Sequence, residues 1–148
     1  YVAVLLAGIA SMVIGFIWYS PMLFGTLWMK LMGYTKESMK EAKKAMTKTY
    51  TISFVVSLIT AYVLAHVMTL SENFFHYPSV TTGLNTAFWM WFGFIGPVQL
   101  TDFLFGGKKF QLFVINTGYQ LASLIVMGLV LAMSSLFRFS RTGRHPEL

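Results

Sequence analysis

Four long apolar stretches, set apart by short polar or charged segments, constrain this 148-residue chain more than any motif in it. A helix that crosses a bilayer needs about 20 mostly apolar residues, because each residue rises about 1.5 Å and the hydrocarbon is about 30 Å thick. Residues 1–24, 50–70, 84–104 and 112–137 meet that length, the first continuing in apolar character past Pro21 to Met32. Each is expected to be helical, since lipid offers no partner to an open backbone. The runs are continuous rather than alternating, which argues against a barrel. The first is too long for the core of a signal peptide and passes directly into aromatic residues, so it is expected to be a retained helix. The expected fold is all-α: an integral membrane four-helix transmembrane bundle, one domain over residues 1–148.

Composition points to the same solvent. The chain is 56% hydrophobic and 11% charged, whereas a soluble domain carries about 25% charged residues. A small water-soluble fold exposes too much of its surface to hide that apolar content. The absence of Cys excludes disulfides, thiolate metal sites and thiol catalysis. A net charge of +6 could suit nucleic acid, but its carriers sit in two loops and a tail that flank apolar runs. That placement reads as topology determinants and contacts to anionic lipid headgroups, so no nucleic-acid partner is expected. Lys30, Lys36, Lys40, Lys43, Lys44, Lys48, Lys108 and Lys109 fall where four spans put them on one side. Arg138, Arg141 and Arg144 fall on the other. The positive-inside rule then places the Lys-rich loops in the cytoplasm and both termini outside, in a bacterial inner (plasma) membrane, with the tail arginines opposing that orientation.

Prolines and glycines punctuate the runs. Pro21 disfavours helical geometry at Ser20 and predicts a kink. Pro97 predicts another, with Gly93 and Gly96 easing the bend. Gly33 closes the first helical stretch. Residues 35–48, TKESMKEAKKAMTK, place Thr35 as a cap, Glu37 in a first turn, and Met39, Ala42 and Met46 on one face. They form either a short amphipathic helix at the headgroups or a rigid extension of the second span. Residues 71–82 read as a loop. Gly15-Phe16-Ile17 before Pro21 echoes Gly93-Phe94-Ile95 before Pro97, as a parallel repeat would or as residues common in membrane helices would.

Polar groups in hydrocarbon are costly, so they are the place to look for function. Trp18, Tyr19, Ser53, Gln99, Asp102, Asn116, Tyr119 and Gln120 fall into one layer near the Lys-rich side. Asn116, Gln120 and Ser123 share a helix face by their spacing. The layer is either a pocket opening to the cytoplasm with Asp102 as its charged element, or a set of interhelical hydrogen bonds with Asp102 facing Lys108 or Lys109. Trp18, Tyr19 and Trp28 suit an interfacial aromatic belt, with a cage for a cation as the other option. His66, Glu72 and His76 fall on the opposite side; Glu72 and His76 have the spacing of metal ligands on a helix, yet their segment reads as a loop and spacing fixes no third ligand, so no metal site is expected. Ser53, Ser57, Thr60, Ala61 and Ala65 in the second run, and Gly118, Ser123 and Gly128 in the fourth, form small-residue packing faces. There is no phosphate-binding glycine loop, no HExxH and no Ser-His-Asp set, so no catalytic residue and no cofactor is expected.

Two stretches carry a resemblance: GFIWYSPMLFGTLWMKLMG over residues 15–33, and LFGGKKFQLFVINTGYQLASLIVMG over residues 104–128. Together they resemble the domain-of-unknown-function 1761 family of small membrane proteins, which pairs a Trp-Tyr-x-Pro element with an Ile-Asn-x-Gly-Tyr element. The matching positions are Trp18, Tyr19, Pro21, Phe24, Gly25, Trp28, Ile115, Asn116, Gly118 and Tyr119. Relatives often carry His after that Tyr; this chain has Gln120, which puts a proton-transferring role there in doubt. The resemblance spans nearly the whole chain and implies a four-helix membrane fold without implying an activity. The expected function is non-enzymatic: a packing or accessory subunit of a larger membrane complex, or a homo-oligomer. The alternative is a small transporter or channel with the polar layer as its site.

Overall fold

The structure is a computed structural model that describes residues 1–142; Arg144, one of the tail arginines, lies outside them. All regular structure among the described residues is helical. In chain order the helices are α1 (Val2–Trp18), α2 (Gly25–Met32), α3 (Lys36–Lys44), α4 (Met46–Phe75), α5 (Ser79–Met90), a π-helical turn (Trp91–Ile95), α6 (Gly96–Gly106) and α7 (Phe110–Thr142).

The first apolar run does not stay helical across Pro21, contrary to the span expected over residues 1–24. α1 stops at Trp18, and the chain turns through residues 19–24 before α2 begins. Pro21 has no N–H and biases Ser20 away from helical geometry. The turn is closed by the Phe24 N–H on the Trp18 carbonyl at 3.1 Å and the Gly25 N–H on the Ser20 carbonyl at 2.9 Å. Only glycine fits at position 25, where a Cβ would lie 2.2 Å from the Tyr19 carbonyl oxygen. Gly33 then ends α2 at φ +70, as its place in the sequence predicts.

Thr35 caps α3 by a reciprocal box with Ser38: the Thr35 N–H donates to Ser38 Oγ at 2.8 Å and the Ser38 N–H to Thr35 Oγ1 at 3.2 Å. Only Ala45 separates α3 from α4. A distinct short helix therefore forms, and the second apolar run also extends beyond its expected start, from Tyr50 back to Met46. At its other end α4 runs on to Phe75, and α5 starts at Ser79. The segment 71–82, expected as a loop, is thus mostly helical, and three residues make the connection. Nothing in 71–75 interrupts a helix, and Pro78, immediately before α5, has the preset φ that helix starts tolerate.

From Ser79 to Gly106 the helical path is unbroken, but it widens before Pro97. Proline cannot donate to the carbonyl four residues back, so a plain kink was expected there. Instead the Gly96 N–H bonds to the Trp91 carbonyl, five residues back, which is the π-type insertion that inserts a residue into the turn.

α7 runs antiparallel to α1, as the pairs Ser11–Ser123 and Trp18–Ile115 establish, and antiparallel to α5 and α6, as Gly83–Gly128 and Gln99–Thr117 establish. α4 also packs on α1 and α5. The core lies among Ala7, Ala61, Leu64, Met68, Ala87, Leu124, Met127, Leu131 and Ala132. Ser57 and Ala61 of the expected small-residue face are buried there. Gly83 and Gly128 let α5 and α7 meet backbone to backbone: a Cβ on either would stand 2.6 Å from the other's carbonyl oxygen. The antiparallel pairing gathers α2, α3, the start of α4, the end of α6 and the start of α7 at one end, and with them the lysines. Two helices, Met46–Phe75 and the α7 stretch Phe110–Arg138, are long and apolar enough to cross a membrane; α1, with 17 residues, is a shorter apolar helix.

Candidate functional site

The polar layer is built around residues 115–119, near the start of α7. From one side it receives the end of α1. The Trp18 indole N–H donates to the Ile115 carbonyl at 3.1 Å, and the next residue, Tyr19, donates its hydroxyl to Asn116 Oδ1 at 2.9 Å. The Tyr19 ring meets Tyr119 edge-on at 5.2 Å and Trp28 of α2 at 5.4 Å. Glycines make these approaches possible. A Cβ at Gly118 would lie 3.2 Å from the Trp18 ring, and a Cβ at Gly15 would lie 3.1 Å from the Tyr119 hydroxyl. Each helix offers a bare patch of backbone to an aromatic ring of the other. The turn that Pro21 enforces is what frees α2 to bring Trp28 back against Tyr19.

The second side of the same α7 segment is held by the third helical path, the continuous stretch from Ser79 to Gly106. The Trp91 indole N–H donates to the Thr117 carbonyl at 3.0 Å, and the Thr117 hydroxyl donates to Gln99 Oε1 at 2.8 Å. One helical turn further along α7, Ser123 and Ser11 share a hydrogen bond of 2.6 Å with both residues nearly fully buried. Ser57 of α4 donates to its own helix at Phe54 and, at 3.4 Å, to the Gly8 carbonyl of α1. The faces expected from spacing hold for Asn116 and Ser123, which both meet α1.

Of the residues singled out in the sequence, Trp18, Tyr19, Asn116 and Tyr119 come together. Gln99 takes part from the opposite side of α7. Ser53 is exposed on α4 and does not join them. Gln120 is half-buried and makes no side-chain hydrogen bond among the described residues. Asp102 pairs with Lys108, and the two side chains are 60% and 46% exposed, so this charge faces outward beside the loop lysines rather than into the layer. Trp18 is not a plain belt residue, because its N–H points into the protein. Trp91 and Thr117 were missed. Thr117 occupies the variable position inside the Ile-Asn-x-Gly-Tyr element, and Trp91 is turned onto it by the π insertion, which no local pattern announces.

Chemically, the arrangement is a clasp. The two indole N–H groups are taken up by the Ile115 and Thr117 main-chain carbonyls, and the Tyr19 and Thr117 hydroxyls by the side-chain amide oxygens of Asn116 and Gln99. No ionisable carboxylate, amine or imidazole lies among them. At the far end Glu72 and His76 close the last turn of α4, and among the described residues no group of three His, Asp or Glu side chains gathers to hold a metal.

The two stretches on which the resemblance rests are therefore the two halves of one contact. A family model described as "Protein of unknown function (DUF1761)" matches residues 2–132, which include both. No curated protein and no solved structure matches the chain.

Proposed function

We propose that this chain, which belongs to the DUF1761 family, is an integral membrane protein of four spans that works without catalysis, as a packing subunit joined to a second copy of itself or to a larger membrane complex. The observation that carries the reading is the outward face of the third helical path. Apart from the π turn it grows from, α6 packs chiefly on α7, and Phe94, Val98 and Leu104 are each about two-thirds exposed. The long helices tell the same story: 22% of the apolar stretch of α4 and 33% of that of α7 is buried within the chain. Exposed apolar surface on this scale needs hydrocarbon or another protein to cover it. The clasp supports a structural role, since its polar groups are used in holding α1, α6 and α7 together, and in membranes such bonds are interhelical glue worth about 0.6–2 kcal/mol each. In this reading α3 lies at the headgroups, and the lysines face the cytoplasm and anionic lipid.

Two measurements test it. With no native cysteine to interfere, single cysteines at Lys43 and at His76 should be labelled from opposite faces of sealed vesicles; labelling from one face removes the four-span arrangement. Protein extracted directly into native nanodiscs should have a mass above that of one 16.7 kDa chain, with Leu104→Cys forming cross-links to the neighbour. A strictly monomeric species eliminates the packing-subunit reading.

A further inference from the structure

One imidazole stands where a membrane helix seldom carries it. α4 turns Ser57, Ala61, Leu64 and Met68 into the core. Ile52, Ile59 and His66, spaced seven residues apart, run down the opposite side of the helix and are exposed. His66 lies six residues inside Glu72, about 9 Å along the helix axis, and so within the hydrocarbon of the proposed four-span arrangement. Histidines in membrane helices are rare and almost always face a bundle interior or a water-filled cavity. This one faces away from its own bundle.

Its hydrogen bonding is half complete. His66 Nδ1 lies 2.9 Å from the Tyr62 carbonyl of its own helix. A ring nitrogen that faces a carbonyl carries the proton, so in the neutral imidazole Nε2 is an acceptor. Nε2 has no partner among the described residues, and neither has the hydroxyl of Tyr62, whose ring lies 4.3 Å from the imidazole and which is 46% exposed. Lipid tails can serve neither group. One face thus shows an unused donor beside an unused acceptor, a self-complementary pair of the kind a two-fold axis joins. The rest of the face suits helix pairing. Ile52, Ile59 and His66 take the first position of a seven-residue repeat, and Val55 and Tyr62 the fourth, which is the pattern of a coiled-coil seam.

We propose that α4 is the contact between two copies of this chain, paired in parallel about a two-fold axis normal to the membrane, with the Tyr62 hydroxyl of each copy donating to His66 Nε2 of the other. In a parallel seam the knob at 66 enters a hole that the facing helix builds partly from its own position 62. A second copy supplies the donor at the right depth, because both copies sit in the membrane at one level. In hydrocarbon such bonds draw helices together. This pairing rests on the packing role and names its partner and its face; the outward face of α6 remains free for other subunits.

The test reconstitutes the full chain in phosphatidylcholine vesicles over a series of protein-to-lipid ratios, with energy transfer between dye-labelled copies reading association. Ile59→Cys, in a chain without native cysteine, forms disulfide-linked dimers under mild oxidation, and Met133→Cys, exposed on α7, does not. His66→Leu and Tyr62→Phe each move the association midpoint to an about tenfold higher ratio, as loss of two symmetry-related interhelical bonds predicts. The double variant moves it no further, because both changes remove the same bonds. Association unchanged or tighter in His66→Leu, additive losses in the double variant, or equal linking at Ile59→Cys and Met133→Cys would each overturn the proposal. A missing link at Ile59→Cys, with Leu104→Cys linked and a mass above one chain, overturns this pairing and leaves the packing role standing; a strict monomer removes both.

Discussion

Replacing Gly83 by alanine adds one methyl group where α5 meets α7. That methyl would stand 2.6 Å from the Gly128 carbonyl oxygen and 3.1 Å from its carbon. Ordinary contact begins at 3.4 Å, so the two backbones must separate by about 0.8 Å, a gap that forfeits a quarter to a half of the dispersion energy of the atom pairs it opens. The obstructing atoms are backbone and cannot rotate away, which puts the cost near the upper end of the usual overpacking range, about 3 kcal/mol. Against this, alanine is the better helix former by about 1 kcal/mol. The net expectation is a loss of about 2 kcal/mol. Gly93→Ala is the control. It meets nothing within 4 Å, so only the propensity gain remains, and it should be neutral or stabilising by up to about 1 kcal/mol. Unfolding in a graded series of denaturing and mild detergent, read by far-ultraviolet circular dichroism, gives both values under one condition. The double change Gly83→Ala with Gly128→Ala should cost less than the two singles together, because the helices part only once. If Gly83→Ala and Gly93→Ala move stability in the same direction by similar amounts, close approach of α5 and α7 is not what these glycines provide.

The other expectations use the same assay. Tyr19→Phe keeps the ring contacts with Trp28 and Tyr119 but loses the bond to Asn116, and should cost about 0.5–1.5 kcal/mol; a Tyr19→Phe/Asn116→Ala cycle should show coupling near 0.6 kcal/mol, and strict additivity would deny the bond. Ser11→Ala strands the Ser123 hydroxyl in a buried site and should cost about 1–2 kcal/mol, with the Ser11→Ala/Ser123→Ala double variant costing less than the sum of the singles. Asp102→Asn removes an exposed ion pair with Lys108 and should change stability by less than about 0.5 kcal/mol; a loss several times larger would return Asp102 to the interior.

Much of this molecule was legible locally. The apolar runs, the αL glycine at Gly33, the Thr35 cap and the small-residue positions Ser57, Ala61 and Gly128 follow from rules that act within a few residues. So does the end of α1, although Pro21 breaks the helix there rather than bending it. The linking segment 71–82 misled because its polar composition resembles a loop, while hydrogen bonding within α4 and α5 needs only the absence of a breaker.

The sequence alone determined where the long apolar helices run, where the charges sit and which side chains are small enough for close approach, because those are set by local sterics and by periodicity. Only the tertiary structure decided that Trp18 turns inward to Ile115, that Asp102 turns outward to Lys108, and that Thr117 is gripped by Trp91 and Gln99. Those outcomes depend on how far each helix is rotated and shifted against its neighbours. The π turn before Pro97 resets that rotation for everything after it, and the Gly83–Gly128 contact sets how near α5 and α7 come.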